Sequence, residues 1–399
     1  NPCRLRSASS SLAEGTIFIF VFKKNLILFF FILFALFSIF YALFIANTYG
    51  SMDYQYSPSK LFIEKINPYE YFLFSEDTSR IIGVQYPVYS QATYVFFSVL
   101  SILNWETSRL VWSVINLTLG TISVLIITKK ANLENYYIIL IWCIFSMSTP
   151  FRNCIGNGQL SFLVLISYCS LFLENSFKRN FLFGLSYMKY SFMPVLAFFV
   201  FLKDGFIGLL ISGLFCITGW IIFSLYLDQN IFHTIFQPIV SGLNGFDNTL
   251  ARGDLYTILN KFNYSLFGLN SIYWSIFIVI VVSYFLVSQV PLKQDPLLTL
   301  NLLLIINLLT FGHLIYDYVI LLPTLVYSFK NYKFIRAKIS ILIVLYFWFG
   351  VRVYEKVKSY ILDIDIIIPT NYDNFINLGL IIVLYLINLN IKSNLILKN

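Results

Sequence analysis

Four ionisable residues lie in or beside strongly apolar runs, where their side chains could carry chemistry. Asp53 follows the first long apolar run, Lys189 lies inside another, and His313 and Asp317 lie at the end of a third. A charged side chain within a membrane costs about 2.5–3.5 kcal/mol on insertion scales, so such residues usually have a partner or a function. We therefore take these four residues as the centre of a candidate site.

Asp53 is the candidate catalytic residue of this set. A carboxylate held at a membrane surface and partly removed from water could act as a general base on a hydroxyl substrate. Aspartates that follow a helix are also common as ordinary solvated loop residues. Its position alone leaves both interpretations open.

The other three residues suit an anionic substrate. His313 and Asp317 are four residues apart, so a helix would place them on one face, where the carboxylate could orient the imidazole for proton transfer or for a phosphate. They could equally form a satisfied polar pair. Lys189 could neutralise a lipid-linked phosphate, or it could reach the membrane surface or pair with a carboxylate.

Loop segments add further candidate binding residues. The glycines of Gly156–Gln159 permit close backbone approach, and Gln159 offers both a donor and an acceptor to a sugar or headgroup. Asn248 and Arg252 lie in one polar loop, where the arginine could bind a phosphate through two N–H groups or could face water. Tyr86, followed by a proline, opens an apolar segment.

The elements that must position these residues are membrane helices. The chain has 399 residues, of which 58% are hydrophobic and 12% are charged, whereas soluble domains carry roughly 25% charged residues. Apolar runs of about 18 residues recur along the chain, and each can cross ~30 Å of hydrocarbon. We predict an all-α fold, a polytopic transmembrane bundle of about 10–12 spans, in one domain over 16–399. Residues 1–15 differ in composition and are predicted to be a disordered or non-native head.

The apolar runs define the candidate spans. They are 26–46, 82–103, 108–128, 136–149, 160–173, 181–202, 206–226, 273–290, 297–312, 314–329, 339–353 and 376–390. Because 136–149 and 160–173 are short, they are candidates for broken or re-entrant segments.

Positive charges predict the orientation. Counting from a cytoplasmic N-terminus places the basic segment 330–338 and the basic tail in the cytoplasm, together with Lys203. Two segments with most of the polar residues, 47–81 and 228–271, then face the far side. The same count places the basic pairs at 129–130 and 178–179 outside, against the positive-inside rule.

Composition also excludes several functions. A net charge of +8 in a membrane protein is typical of cytoplasmic loops and contact with anionic lipids, and no basic patch interleaved with aromatic residues indicates nucleic-acid binding. Two histidines make a three-ligand metal site improbable on this sequence, and we predict neither a metal nor a cofactor. The five cysteines lack CxxC spacing and are interpreted as small buried apolar side chains.

Taken in order, the scattered motifs over 47–330 resemble the GT87 glycosyltransferases of the GT-C class, which use polyprenyl-phosphate sugars. The matching pieces are Asp53-Tyr54, Asn67-Pro68-Tyr69, Tyr86-Pro87, Thr149-Pro150 with Asn153, Gly158-Gln159-Leu160-Ser161, Gly184-Leu185 with Lys189 and Pro194, Asn248 with Arg252, and His313 with Tyr316-Asp317-Tyr318 before Leu321-Leu322-Pro323.

The resemblance implies a GT-C-like fold and an inverting, metal-independent glycosyltransferase. It would move a hexose or pentose, such as mannose, from a polyprenyl-phosphate donor to a lipid or glycan hydroxyl at the outer face of a bacterial-type inner membrane. Asp53 would be the base, and Lys189, Arg252 and His313 would hold the donor phosphate or polyprenyl head. Tyr86, Gln159, Asn248 and Asp317 would complete the donor and substrate site.

Two alternatives remain open at this level. A multispan transporter or flippase would be favoured by an internal repeat and by charges lining both halves of the membrane, and the sequence has neither. An O-antigen polymerase or ligase also has a large outer loop, usually rich in arginine. Here that loop contains Arg252 alone among arginines.

Overall fold

The computed structural model describes residues 2–75, 77, 79–245, 254–261, 295–311, 313–362 and 371–396, with isolated positions at 274, 277, 278 and 281. All regular elements in these ranges are helical, as predicted. In chain order the α-helices are α1 (Pro2–Thr48), α2 (Tyr56–Ile63), α3 (Pro68–Phe74), α4 (Gln91–Ser101), α5 (Trp105–Lys130), α6 (Asn135–Met147), α7 (Thr149–Gly156), α8 (Ser161–Tyr168), α9 (Ser176–Phe183), α10 (Met193–Tyr226), α11 (Ile231–Thr234), α12 (Gln237–Gly245), α13 (Leu255–Lys261), α14 (Pro296–Thr310), α15 (Leu322–Lys330), α16 (Ile335–Leu345), α17 (Val351–Leu362) and α18 (Asn371–Ile396).

Five of the described helical segments are long and apolar enough to cross a membrane, so the protein is an α-helical integral membrane protein. They are Asn25–Thr48, Trp105–Lys130, Tyr190–Tyr226, Ile335–Lys358 and Asp373–Ser393. The third of these, which contains α10, is interrupted by a kink at Gly205, where φ is +68°. Helices α6 and α7 meet at 62° and pass the same test as a bent pair, which gives up to six spans. Helix α1 also includes residues 2–15, where the sequence predicted a disordered head.

The described residues therefore contain fewer long spans than the predicted 10–12. The predicted span 82–103 holds only α4, whose 11 residues extend about 16 Å, roughly half the hydrocarbon thickness. The predicted span 314–329 is a 3₁₀ segment, Ile315–Leu321, followed by α15. These differences arise because hydropathy measures apolar content and does not detect breaks in the backbone hydrogen bonds of a helix. Most of 273–290 lies outside the described residues.

The predicted span 181–202 is a hairpin, and this corrects the predicted topology. Arg179 at the start of α9 forms an ion pair with Asp204 at 2.9 Å. The chain between them must therefore turn back on itself. Since the two side chains touch, residues 178–179 and Lys203 lie at the same end of the bundle, whereas the sequence count placed them on opposite sides.

The basic pair at 129–130 lies at this end too. Lys130 stacks over the Phe172 ring at 5.7 Å, and the carbonyl of Leu173 accepts a hydrogen bond from Arg179. We call this end, defined by Lys129, Lys130, Lys178, Arg179 and Lys203, the basic end.

Helices α1 and α5 pack antiparallel and connect the basic end to the opposite end. Arg109 near the start of α5 donates to the carbonyl of Thr48 at 3.3 Å, and Asn47 donates to Ser113 at 3.3 Å. The other end of α1, with its lysine pair at 23–24, therefore lies toward the basic end. All these basic groups then fall on one side, as the positive-inside rule expects.

The two predicted outer segments meet at the end opposite the basic end, which we call the site end. Asn67 donates to Gln229 at 2.6 Å and to Gln237 at 3.0 Å. Both glutamines donate to Glu70 at 3.1 Å. These bonds join α3 to the chain around α12, as the sequence predicted for two segments on one side.

The interior combines an apolar core with a few paired polar groups. Helices α14 and α15 are almost fully buried, and α18 is tied to them where Asn301 donates to Asn388 at 3.0 Å. Of the cysteines, Cys143, Cys154 and Cys169 are buried free thiols and Cys216 is half-buried, in agreement with the prediction for these four.

We expect residues 178 and 203 to be accessible from one side of the membrane and residue 79 from the other. In a background without the five native cysteines, Lys178→Cys and Lys203→Cys should react with an impermeant maleimide only from the side that labels residue 130. Ser79→Cys should react only from the opposite side. Labelling of 178 and 203 from different sides would contradict the hairpin.

Candidate functional site

Two loops meet at the site end and fix the position of Asp53. After α1, the N–H of Ser51 donates to the carbonyl of Gly156 at 2.6 Å, and that of Asp53 donates to the carbonyl of Asn157 at 3.0 Å. A side chain on Gly50 would collide with the Gly156 carbonyl. The glycines that the sequence indicated for close approach thus bring the loop after α1 against the loop after α7.

An aromatic wall supports this contact. Tyr54 stacks between Trp105 and Trp112, with ring centroids 6.1 and 5.9 Å away. Trp112 donates its indole N–H to the carbonyl of Gly158 at 2.8 Å. Gly158 has φ +72°, and a Cβ there would lie 2.7 Å from Cβ of Tyr54. Both loops are therefore held in one backbone arrangement beside Asp53.

Asp53 is a half-buried carboxylate. Among the described residues it forms no ion pair. Burial raises the pKa of Asp53 to about 6, while the Gln159 amide and Lys189 act to lower it and Asp317 acts to raise it. A carboxylate with a pKa near 6 is a stronger base than an ordinary aspartate and is still mostly ionised at neutral pH.

Gln159 is buried beside Asp53. Tyr89 donates its hydroxyl to Oε1 of Gln159 at 3.1 Å. The amide is close enough to the Asp53 carboxylate to lower its pKa. Nε2 nevertheless has no hydrogen-bond partner of normal geometry among the described residues. A buried donor without a partner is costly and needs a reason.

Lys189 and Asp317 form a buried ion pair next to this amide. Lys189 lies at a break between two 3₁₀ segments, Gly184–Met188 and Tyr190–Phe192, which turns its side chain out of helical register. Its Nζ contacts Oδ1 of Asp317, and Ser161 donates to the same oxygen. The two predicted residues are thus brought together from positions 128 residues apart.

Among the described residues, Lys189 has two hydrogen-bond acceptors. Its ammonium group has three N–H donors, of which the structure assigns two, to Asp317 and to Ser161 at 3.4 Å. The rings of Phe192 and Tyr316 lie 5.4 and 5.0 Å away and stabilise the cation.

His313 contacts the other oxygen of Asp317. Its Nε2 lies 2.8 Å from the carbonyl of Asn307, and since a carbonyl only accepts, Nε2 carries the hydrogen. Nδ1 lies 3.4 Å from Oδ2 of Asp317 without a hydrogen bond. A second proton on Nδ1 would make the ring a cation beside Lys189.

The structure therefore joins five predicted site residues: Asp53, Gln159, Lys189, His313 and Asp317. We call them the site cluster. Asp317 is their common partner, since Lys189 and His313 contact its two oxygens and its charge acts on Asp53. With Asp53 and Asp317 ionised and Lys189 charged, a proton on Nδ1 of His313 would make the cluster neutral overall.

The remaining predicted residues are not placed in the cluster. Tyr86 packs its ring on Phe72, with the ring centroids 4.8 Å apart. Among the described residues, it forms no hydrogen bond or ring contact with the site cluster. Asn248 and Arg252 lie outside the described residues. Among the described residues, no group of three or more His, Cys, Asp or Glu side chains is arranged to hold a metal.

Sequence reasoning missed Tyr89 and Ser161 as site residues. Ser161 lies two positions after Gln159, and Tyr89 three positions after Tyr86. Neither residue type is unusual in an apolar sequence. Their role becomes visible only through the partners that the fold supplies.

No protein-family model, curated protein or solved structure matches this chain. The resemblance to GT87 therefore stays a prediction from the motifs quoted above.

We expect Gly158→Ala to disturb the site and Gly205→Ala to leave it in place. Both glycines have positive φ, but a Cβ at Gly205 meets no atom within 4 Å, so only backbone strain of about 1–3 kcal/mol follows. At Gly158 the Cβ would also push on Tyr54. Tryptophan fluorescence should shift in Gly158→Ala, through Trp105 and Trp112, and stay unchanged in Gly205→Ala. Equal spectra would contradict the close contact.

Proposed function

We propose that the chain is an inverting glycosyltransferase that moves a hexose or pentose from a polyprenyl-phosphate donor to a hydroxyl of a lipid or glycan. The reaction would take place at the site end, which would face the outside of a bacterial-type inner membrane. Membrane lipids, the donor and the acceptor are the expected partners, with no nucleic acid.

One observation carries this proposal: Asp53, which has no ion-pair partner among the described residues, lies within reach of the charges of Lys189 and Asp317, and His313 contacts the same Asp317. Asp53 would supply a base near neutral pH, and Lys189 and His313, both in contact with Asp317, would supply cationic or donor groups. Transfer from a phosphate-linked sugar needs a base for the acceptor and charge stabilisation for the leaving phosphate. Asp53 would supply the first, and Lys189 with His313 would supply the second.

In the proposed reaction, Asp53 takes the proton from the acceptor hydroxyl, and the acceptor oxygen attacks the anomeric carbon from the side opposite the phosphate. The bond from that carbon to the phosphate oxygen breaks, which inverts the configuration. Polyprenyl phosphate leaves with the electron pair, and its new charge is stabilised by Lys189, by Nδ1 of His313 when protonated and, by resemblance, by Arg252.

The membrane setting supports this substrate class. The helices expose large apolar side chains, such as Phe96 and Phe201, to the region where a polyprenyl tail would lie. The donor sugar is already activated by its phosphate, and the resemblance to GT87 implies transfer without a metal. The ordered GT87-like motifs point to the same chemistry.

The direct test is transfer by the purified protein. In detergent or liposomes it should move a labelled sugar from a polyprenyl-phosphate sugar to an acceptor. Movement of a lipid-linked sugar across the bilayer without any transfer would favour the transporter or flippase instead. Joining of whole oligosaccharide units would favour the polymerase or ligase.

Asp53→Asn should abolish transfer without loss of donor binding. The amide has nearly the same shape but cannot accept the proton, and loss of a general base typically lowers turnover about 10²–10⁴-fold. Transfer and binding of a labelled polyprenyl phosphate would be measured on the same preparation. An active Asp53→Asn enzyme would remove this residue from the role of base.

Transfer should also depend on pH through Asp53. The base is active when ionised, and its pKa is raised to about 6, so the rate should rise as the pH increases through about 6 and level off above it. The measurement is kcat/KM for the acceptor from pH 4.5 to 8. A rise centred near pH 4, as for an ordinary aspartate, would contradict the buried setting.

A further inference from the structure

The Gln159 amide is bonded at Oε1 by Tyr89, while its Nε2 lies beside Asp53. Its Nε2 is a buried donor with no hydrogen-bond partner of normal geometry among the described residues, and the side chain is 1% exposed. It lies next to Asp53, whose carboxylate is the proposed base. A group that both accepts from Nε2 and donates to the carboxylate would satisfy both, and a hydroxyl does this.

The amide has two possible orientations, and the Asp53 carboxylate distinguishes them. In the observed one, the Tyr89 hydroxyl donates to Oε1 and Nε2 is left toward Asp53. In the flipped one, Oε1 would face the Asp53 carboxylate, so that two acceptors would oppose each other. The observed orientation therefore matches an ionised Asp53.

The rest of Gln159 has little freedom to move. Its backbone carbonyl accepts from Asn116 at 3.0 Å, and its N–H donates to the carbonyl of Cys154 at 2.9 Å. Rotation of the terminal amide is the main motion that remains. It would break the hydrogen bond from Tyr89 to Oε1 and would bring Oε1 against the Asp53 carboxylate.

Tyr89 is itself held on both sides of its backbone. Its N–H donates to the Tyr94 hydroxyl at 3.2 Å, and its carbonyl accepts from the Tyr69 hydroxyl at 2.6 Å. The Tyr89 side chain is also buried. The donor that fixes the amide is thus set before any substrate arrives, which is the condition for a preorganised site.

We propose that Tyr89 is a positioning residue that holds the Gln159 amide with Nε2 toward Asp53, so that Nε2 and the carboxylate together grip the acceptor hydroxyl. This inference rests on the proposed glycosyl transfer. The acceptor oxygen takes a hydrogen bond from Nε2 and gives its proton to Asp53 as it attacks the anomeric carbon. The Nε2 hydrogens stay on the amide throughout, so Gln159 acts as a donor only.

Tyr89→Phe is the main test. It removes the hydroxyl that fixes the amide and keeps the ring, so kcat should fall about tenfold, the loss expected for one positioning hydrogen bond. Because the amide lowers the pKa of Asp53, the acid limb of the pH profile should also move to higher pH. Lys189 and Asp317, the charged groups that act on Asp53, are unchanged in this variant.

Tyr327→Phe is the matched control. Tyr327 is another buried tyrosine, on α15, and its hydroxyl has no hydrogen-bond partner among the described residues. Its removal should leave kcat and the acid limb as in the unmodified protein. If Tyr89→Phe behaves like this control, the positioning role is wrong.

Gln159→Glu distinguishes the role of Nε2 from that of Oε1. The carboxylate keeps the shape and still accepts from Tyr89, but it has no N–H to offer the acceptor. Turnover should fall at least as far as in Tyr89→Phe, with an increased KM for the acceptor. Full activity in Gln159→Glu would show that Nε2 does not bind the acceptor hydroxyl.

A titration that needs no turnover separates this inference from the proposed function. The carboxyl stretch of Asp53, assigned by infrared difference against Asp53→Asn, should titrate at higher pH in Tyr89→Phe than in Tyr327→Phe. If the unmodified protein transfers no sugar, the proposed function fails, and the titration still decides the amide orientation. An unchanged Asp53 titration in Tyr89→Phe overturns the inference whether or not transfer occurs.

Discussion

The site cluster depends on the buried ion pair between Lys189 and Asp317. Two charges taken out of water are tolerated only when they are paired and hydrogen-bonded. Here Ser161 donates a hydrogen bond to Oδ1 of Asp317, and Nδ1 of His313 lies 3.4 Å from Oδ2. Removing one partner of such a pair costs about 3–5 kcal/mol because the other charge is left buried alone. The pair therefore constrains the hairpin that carries Lys189 and the 3₁₀ segment that carries Asp317 to lie together.

Broken helices follow from this constraint. A continuous helix satisfies its own backbone but points its side chains at lipid and neighbouring helices. Lys189 and Asp317 both lie in irregular or 3₁₀ segments, and Gln159 follows the end of α7. Such backbone is tolerated at membrane depth where protein covers it or a polar cavity accepts it. The chain therefore has fewer long spans than predicted, and the breaks between its short helices carry the polar residues of the site.

The site cluster also explains how one small region can hold a base and cations without neutralising both. Asp317 pairs with Lys189, whereas Asp53 has no ion pair among the described residues and burial raises its pKa. Among those residues, Lys189 has two hydrogen-bond acceptors, and Nδ1 of His313 has no hydrogen-bond partner. This division of two carboxylates into a structural partner and a reactive group suits the proposed transfer, and it would be lost if Asp53 and Lys189 paired directly.

The sequence by itself determined that the chain is a helical membrane protein, and it named the residues of the site cluster as candidates because charges in apolar runs are costly and therefore informative. Asp53, Gln159, Lys189, His313 and Asp317 were all predicted, as was the helical membrane fold. Only the tertiary structure decided which residues touch, that 181–202 is a hairpin, that the helix within 82–103 is too short to cross, and that Tyr89 donates to Gln159. The reason is physical: hydropathy and residue type report the cost of burial locally, whereas hydrogen-bond partners, backbone breaks and the side of the membrane depend on contacts between residues far apart in the chain.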